Sequence, residues 1–215
     1  DGVPAEGQIA YITVGGNDYT VTIAEDAVLN KRLVVGGGAN VATLAISATA
    51  AMTNGYINVN DGGMISVNEH GSLLYEGKGD GVRTDTELTE VIAIKGGELL
   101  VDGGTVDFRD MSGRIVVSDG ENGGKGKITV RNGSIYHNPD TGADYFRIET
   151  GGFVDMSGGT FLFDGYNPSI VNDVGFRLNG GEMCITGGVF GVVKFADNFH
   201  TNRINLFINL ISDLF

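Results

Sequence analysis

The sequence predicts an all-β chain wound as a single-stranded, right-handed parallel β-helix. It is expected to have three strands per coil and about seven coils, closed by a short C-terminal amphipathic helix. Three observations carry this expectation. First, a glycine-anchored unit recurs, with anchors at Gly63, Gly97, Gly126, Gly152 and Gly181, so that successive copies lie 26 to 34 residues apart. A period in that range marks stacked repeat architectures. Second, the positions two and four residues after each anchor are apolar: Ile65 and Val67, Leu99 and Val101, Ile128 and Val130, Val154 and Met156, Met183 and Ile185. This period-two pattern describes a strand with one buried face. Third, each unit holds three such segments separated by corners, and a glycine follows the first segment at Gly71, Gly104, Gly133, Gly159 and Gly188. Glycine supplies the positive φ that a sharp corner demands.

The chain divides into residues 1–198 as the β-helix and 199–215 as a C-terminal capping or docking segment. Within the first part, 1–55 reads as irregular N-terminal coils and 56–192 as regular repeats. In the N-terminal region Ile9 to Val14, Tyr19 to Ile23, Arg32 to Val35 and Val41 to Ile46 alternate or run apolar, giving about two coils. End repeats are expected to be atypical because nothing stacks on their outer side. The Ala, Thr and Ser richness of Val41 to Met52 suggests a coil of small cross-section, with a short helix as the alternative.

From Tyr56 onward each repeat has a strand before its glycine pair, as in Tyr56 to Val59, Val91 to Ile94, Arg114 to Val117, Tyr145 to Ile148 and Gly175 to Leu178. A strand begins at the anchor, and a third follows the corner with Leu73 and Tyr75, Val106 and Phe108, Ile135, Phe161 and Phe163, or Phe190 and Val192. Ser72, Thr105, Ser134 and Thr160 open that third strand, and Val189 breaks the series. The corner back to the next coil varies in length. Its longest form, Glu76 to Glu90, is polar and acidic, and is read either as a binding loop or as a tolerated insertion. In the tail, Ile204, Phe207, Ile208, Ile211, Leu214 and Phe215 fall on one face of a helix. That face is expected to cap the last coil or to dock on another chain.

Composition narrows the function. Glycine supplies 36 of 215 residues without a three-residue period, which fits tight corners and excludes collagen. A net charge of −13 argues against nucleic acid and anionic lipid as partners. No apolar run is long enough for a membrane-spanning helix, so membrane insertion is not expected. A start at Asp1 without Met is read as a removed signal peptide or a fragment, and the Gly, Asn, Asp, Thr and Ser richness points to an extracellular or cell-surface location.

Candidate chemistry is sparse. Cys184 is the single cysteine, so no internal disulfide forms, and it falls at an outward strand position. His70, His137 and His200 show no metal-ligand spacing and are read as structural or surface residues. No cofactor is expected. Calcium on Asp102, Asp107 and Asp110, or on Asp140 and Asp144, is the lesser expectation, since no EF-hand or nonapeptide calcium repeat occurs. Glu98 and Lys127 would face each other on adjacent coils as a surface ion pair. No row concentrates acids and bases as a polysaccharide-cleaving site requires. Thr22, Thr43, Thr129, Thr160 and Thr186 do not share the register of an ice-binding face. Leu74, Leu100, Phe153 and Leu162 are apolar at outward positions and are the candidate partner contacts on the faces.

The Gly-Gly-x-Φ-x-Φ-x-x-Gly-[Ser/Thr]-Φ-x-Φ units, as in Gly151 to Phe163, resemble those of secreted bacterial right-handed β-helices, with autotransporter passenger domains and related surface adhesins the nearest group. Pectin-lyase-like enzymes share that fold. The resemblance covers residues 56–192 well and implies an extracellular, elongated, non-enzymatic scaffold. The expected function is thus a structural or adhesive β-helix that self-associates into a homo-oligomer or surface assembly, through its ends or its tail, with a glycan or a host-surface ligand as its other expected partner. The alternative is a carbohydrate-binding or polysaccharide-cleaving β-helix that uses a face beside the Glu76–Glu90 loop.

Overall fold

The computed structural model describes residues 9–13, 17–29, 31–38, 40–53, 55–78, 90–137, 145–164, 175–193 and 207–208. All regular structure in these residues is β. The first turn comprises β1 (Ile9–Ile12), β2 (Tyr19–Ile23) and β3 (Ala27–Leu29), and the second β4 (Arg32–Val35), β5 (Ala42–Ile46) and β6 (Thr49–Thr53). Next come β7 (Tyr56–Asn60), β8 (Gly63–Asn68) and β9 (Ser72–Lys78), then β10 (Glu90–Lys95) and β11 (Glu98–Ser112), then β12 (Arg114–Ser118) and β13 (Lys127–His137). The last strands are β14 (Tyr145–Glu149), β15 (Phe153–Met156), β16 (Thr160–Asp164), β17 (Gly175–Asn179), β18 (Glu182–Ile185), β19 (Val189–Val193) and the two-residue β20 (Phe207–Ile208).

Every strand pairs in parallel with its counterpart one turn away. The first face follows the order β1-β4-β7-β10-β12-β14-β17 and the second β2-β5-β8-β11-β13-β15-β18-β20. The third runs through β3, β6, β9, the later halves of β11 and β13, then β16 and β19. This is the expected parallel β-helix. Five turns have a closed interior, and the outermost turn at each end is only partly covered, so the expected seven coils become about five complete turns. The reason is geometric: an end turn has a stacking neighbour on one side only.

Inward residues form ladders along the axis. Leu33, Ile57, Ile92, Ile115, Phe146 and Phe176 stack on the first face. Leu44, Ile65, Leu99, Ile128, Val154 and Met183 stack on the second, beginning from Val21. On the third, the ladder runs from Ala27 and Ala50 through Leu73, Val106 and Ile135 to Phe161 and Phe190, small at its start and aromatic at its end. The late turns accordingly hold an aromatic cluster in which Phe146 stacks on Phe176 and meets Phe161 edge-on. Close packing of such ladders is what makes single turns unstable and stacks stable.

The stretch Val41 to Met52 is strand, in β5 and β6, as a coil of the stack requires, and its helical alternative falls away. Three details depart from the sequence reading. Strands β11 and β13 run through the second corner without a break, because that corner is short and its backbone keeps pairing with the neighbouring turns. The Glu76–Glu90 loop is trimmed at both ends by β9 and β10, and residues 79–89 lie outside the described set. The expected C-terminal helix falls mostly outside it too, including Ile204, Ile211, Leu214 and Phe215. Phe207 and Ile208 are described, and they are strand, in register with Cys184 and Ile185.

Corner carboxylates tie turns together. Asp18 accepts the Val41 amide at 2.8 Å and Asp26 the Thr49 amide at 2.9 Å, each one turn further along. Asp61 accepts the Gly124 amide at 2.9 Å through Oδ1 and the Asn122 amide at 3.0 Å through Oδ2. At Gly151, where φ is +75°, a Cβ would collide with the Asp119 carboxylate. Glycine is required there twice over, by the left-handed backbone and by the space the carboxylate takes. Part of the acidic composition is therefore structural.

Candidate functional sites on the outer faces

Alternation places every second residue outward, and the parallel register sets which outward residues meet. On the second face one outward row runs Thr20, Thr43, Met64, Glu98, Lys127, Phe153, Glu182. The next runs Thr22, Ala45, Ser66, Leu100, Thr129, Asp155, Cys184, Phe207. The pairing of Glu98 with Lys127 is there, at 3.9 Å, and it extends further than expected: Lys127 also reaches Asp155 at 3.4 Å and lies 5.8 Å from the centre of the Phe153 ring. Thr129 donates its hydroxyl to Glu98 at 2.5 Å, and this outward threonine is only 4% exposed. Three turns thus contribute one small polar network. Its lysine is shared between two carboxylates, which leaves the network with one net negative charge.

On the third face the first outward row is Thr49, Ser72, Thr105, Ser134 and Thr160, followed by Val189. Its neighbour row holds Leu74, Asp107, Tyr136, Leu162 and Gly191. Asp107 is clamped by the Arg109 side chain through several hydrogen bonds, and the guanidinium sits 5.2 Å from the centre of the Tyr136 ring. Those hydrogen bonds hold the Asp107 carboxyl below the usual carboxylate range against the opposing effect of partial burial. The hydroxyl row is in register, yet the bulky row beside it leaves no flat threonine array.

The four apolar face candidates point outward as expected and are half-buried. They are not brought together. Leu100 and Phe153 share the second face with Thr129, Lys127 and Asp155 between them, and Leu74 and Leu162 share the third with Asp107 and Tyr136 between them. Of the tail candidates only Phe207 and Ile208 are described, and they extend the second face.

Of the acids read as calcium ligands, Asp102 faces Arg131 at 3.6 Å and Asp107 is taken by Arg109. The Asp110 side chain, Asp140 and Asp144 lie outside the described residues. Among the described residues, no three of His, Cys, Asp and Glu cluster in a way that would hold a metal ion.

Two features escaped the sequence reading. On the first face Arg32, Arg114, Arg147 and Arg177 all point outward, and Arg147 and Arg177 are in register. Between them the outward Val34, Ala93 and Val116 are nonetheless buried, so this side is not an open apolar surface. The arginines alternate with core residues in β4, β12, β14 and β17, and that alternation was the available signal. The second feature is His137, which is 1% exposed and faces inward between Phe108 and Phe163. Its spacing two residues after Ile135 was the signal.

The ends differ from the faces. Among the described residues β1, β2 and β3 each pair on one side only. Val21 points inward, in register with the buried Leu44, and yet is 39% exposed. Among the described residues the core column therefore ends uncovered at the first turn. Ile9, Tyr11 and Val28 on the same turn are exposed as well, the last two by 60% and 68%.

Comparison of the chain with protein-family models, with curated proteins and with solved structures gives no match.

Proposed function

We propose that this chain is a non-catalytic structural or adhesive scaffold, acting outside the cell or on its surface, whose first turn joins to the first turn of a second copy. The observation that carries the proposal is the exposure of the inward-facing Val21 at the end of the core, flanked by strands that pair on one side only among the described residues. Unpaired edges over an exposed apolar column are a template for another chain. The opposite end is less available, because β20 already pairs with β18 on the second face. Contact of like end with like end forms a closed, two-fold dimer, whereas first-to-last stacking would run on into a fibre. The outer faces support a scaffold role in a different way: their charged groups pair within the protein, Arg109 with Asp107 and Lys127 with both Glu98 and Asp155. The extracellular setting rests on composition and on the resemblance of the repeat unit to secreted β-helices.

Mass in solution, followed by sedimentation across a concentration range, tests the reading. The expected result is a dimer that dissociates on dilution, and a Val21→Glu chain that stays folded by circular dichroism but remains monomeric. A wild-type chain that is monomeric at every concentration overturns the self-association. Removal of residues 1–8 separates the remaining occupant: if that segment is the cap, its loss creates association where there was none.

A further inference from the structure

His137 stands in the interior of the stack where its counterparts are Phe108 and Phe163. The imidazole stacks on Phe163 with ring centres 4.9 Å apart and meets Phe146 edge-on at 6.3 Å. Among the described residues neither Nδ1 nor Nε2 has a hydrogen-bond partner, and both are sealed from solvent. The comparison with Tyr75 is informative. That tyrosine is also buried, yet its hydroxyl reaches the Gly55 backbone and is satisfied. A neutral histidine can take this place at the cost of an unpaired polar group, but an imidazolium cannot, since it brings an uncompensated charge into an apolar column.

We propose that His137 makes its turn an acid-sensitive point in the stack, where protonation of the imidazole requires β13 to part from β14 and β16. The charged groups on the strands packed around it offer no relief. Asp107 and Arg109 on β11 bond to each other outside, Arg147 and Glu149 on β14 pair at 2.5 Å outside, and Arg131 on β13 faces Asp102. Its inward neighbours from these strands, Phe108, Phe146, Ile135, Phe161 and Phe163, are apolar. Burial alone pushes the imidazole from 6.5 down to about 3. A folded-state pKa below the unfolded one means that the unfolded chain takes up the proton first. Stability from this group is thus fully present above about pH 6.5 and is lost progressively as the pH falls toward 3.

The test compares wild type with His137→Phe and His137→Leu in urea unfolding at pH 7.5, 6.5, 5.5 and 4.5. The aspartates and glutamates titrate alike in all three chains, so the difference between chains isolates His137. Relative to the variants, the wild-type folded-to-unfolded ratio is expected to fall about 50-fold between pH 6.5 and 4.5, because the unfolded histidine is already half protonated at pH 6.5. Hydrogen exchange of the amides in 131–137 at pH 5, corrected for intrinsic rate, is expected to rise in wild type and not in the variants. The leucine variant covers the outcome that phenylalanine overpacks the column. Parallel pH dependence in all three chains overturns the proposal. So does direct titration of the folded His137 ring near pH 6.5 by NMR, which stands even if neither variant folds.

Discussion

Tyr75 and His137 show two outcomes for a buried polar side chain in this interior. The Tyr75 hydroxyl accepts the Gly55 N–H at 2.9 Å and donates to the Gly55 carbonyl at 2.6 Å, so one side chain closes the corner that leads into β7. Removing it strands both backbone groups in the core. Tyr75→Phe is expected to cost about 1–3 kcal/mol, the range for leaving buried partners unsatisfied, as read from urea midpoints at constant slope. A change within experimental error would show that water reaches Gly55. His137 is the contrasting case, with the same column position and no partner.

At the scale of elements, the strands are held in register by ladders, and the corners by carboxylates. Asp61 sits between β7 and β8 but bonds to the segment joining β12 to β13, passing over the corner at Gly96 on the way. Asp61→Ala is expected to destabilise the chain by about 1–2 kcal/mol, since hydrogen bonds to a charged acceptor are among the stronger ones. It should also raise hydrogen exchange at Asn122 and Gly124 while leaving β4 and β5 protected. Uniform loss of protection along the stack would count against a local clasp. The faces behave differently: Lys127 links Glu98 and Asp155 near the surface, where such pairs contribute little to stability.

For the whole molecule, the two ends set the behaviour. Among the described residues the first turn leaves its core column open, while the last receives β20 along one of its three faces. Deleting residues 202–215 removes that added strand and uncovers β18. The melting temperature is expected to drop by about 2–8 °C, the shift that about one to two kcal/mol produces in a chain of this size. The mass in solution is expected to stay the same, because the proposed contact lies at the opposite end. A truncated chain that loses association would move the contact to the tail.

Much of this architecture was legible in the order of residues. The glycine anchors, the alternation after them and the hydroxyl that opens each third strand are relations within a few positions. Backbone sterics and the period-two pleat read them the same way in any context, which is why strands such as β8, β15 and β18 lie where the pattern puts them. The outward placement of Leu74, Leu100, Phe153, Leu162 and Cys184 followed from the same rule. Relations between turns were another matter. Alignment on the anchor glycines already paired Glu98 with Lys127 on adjacent turns, but contacts made by corners of variable length are not set by spacing in the chain. Asp61 bonding to Gly124, Lys127 reaching a second carboxylate at Asp155, and a histidine with no hydrogen-bond partner among the described residues emerge only when turns stack. The tail shows the limit most plainly. Phe207 and Ile208 fit a helical pattern by spacing, but the open edge of β18 supplies backbone partners that an isolated helix face cannot match, and there the pairing decides.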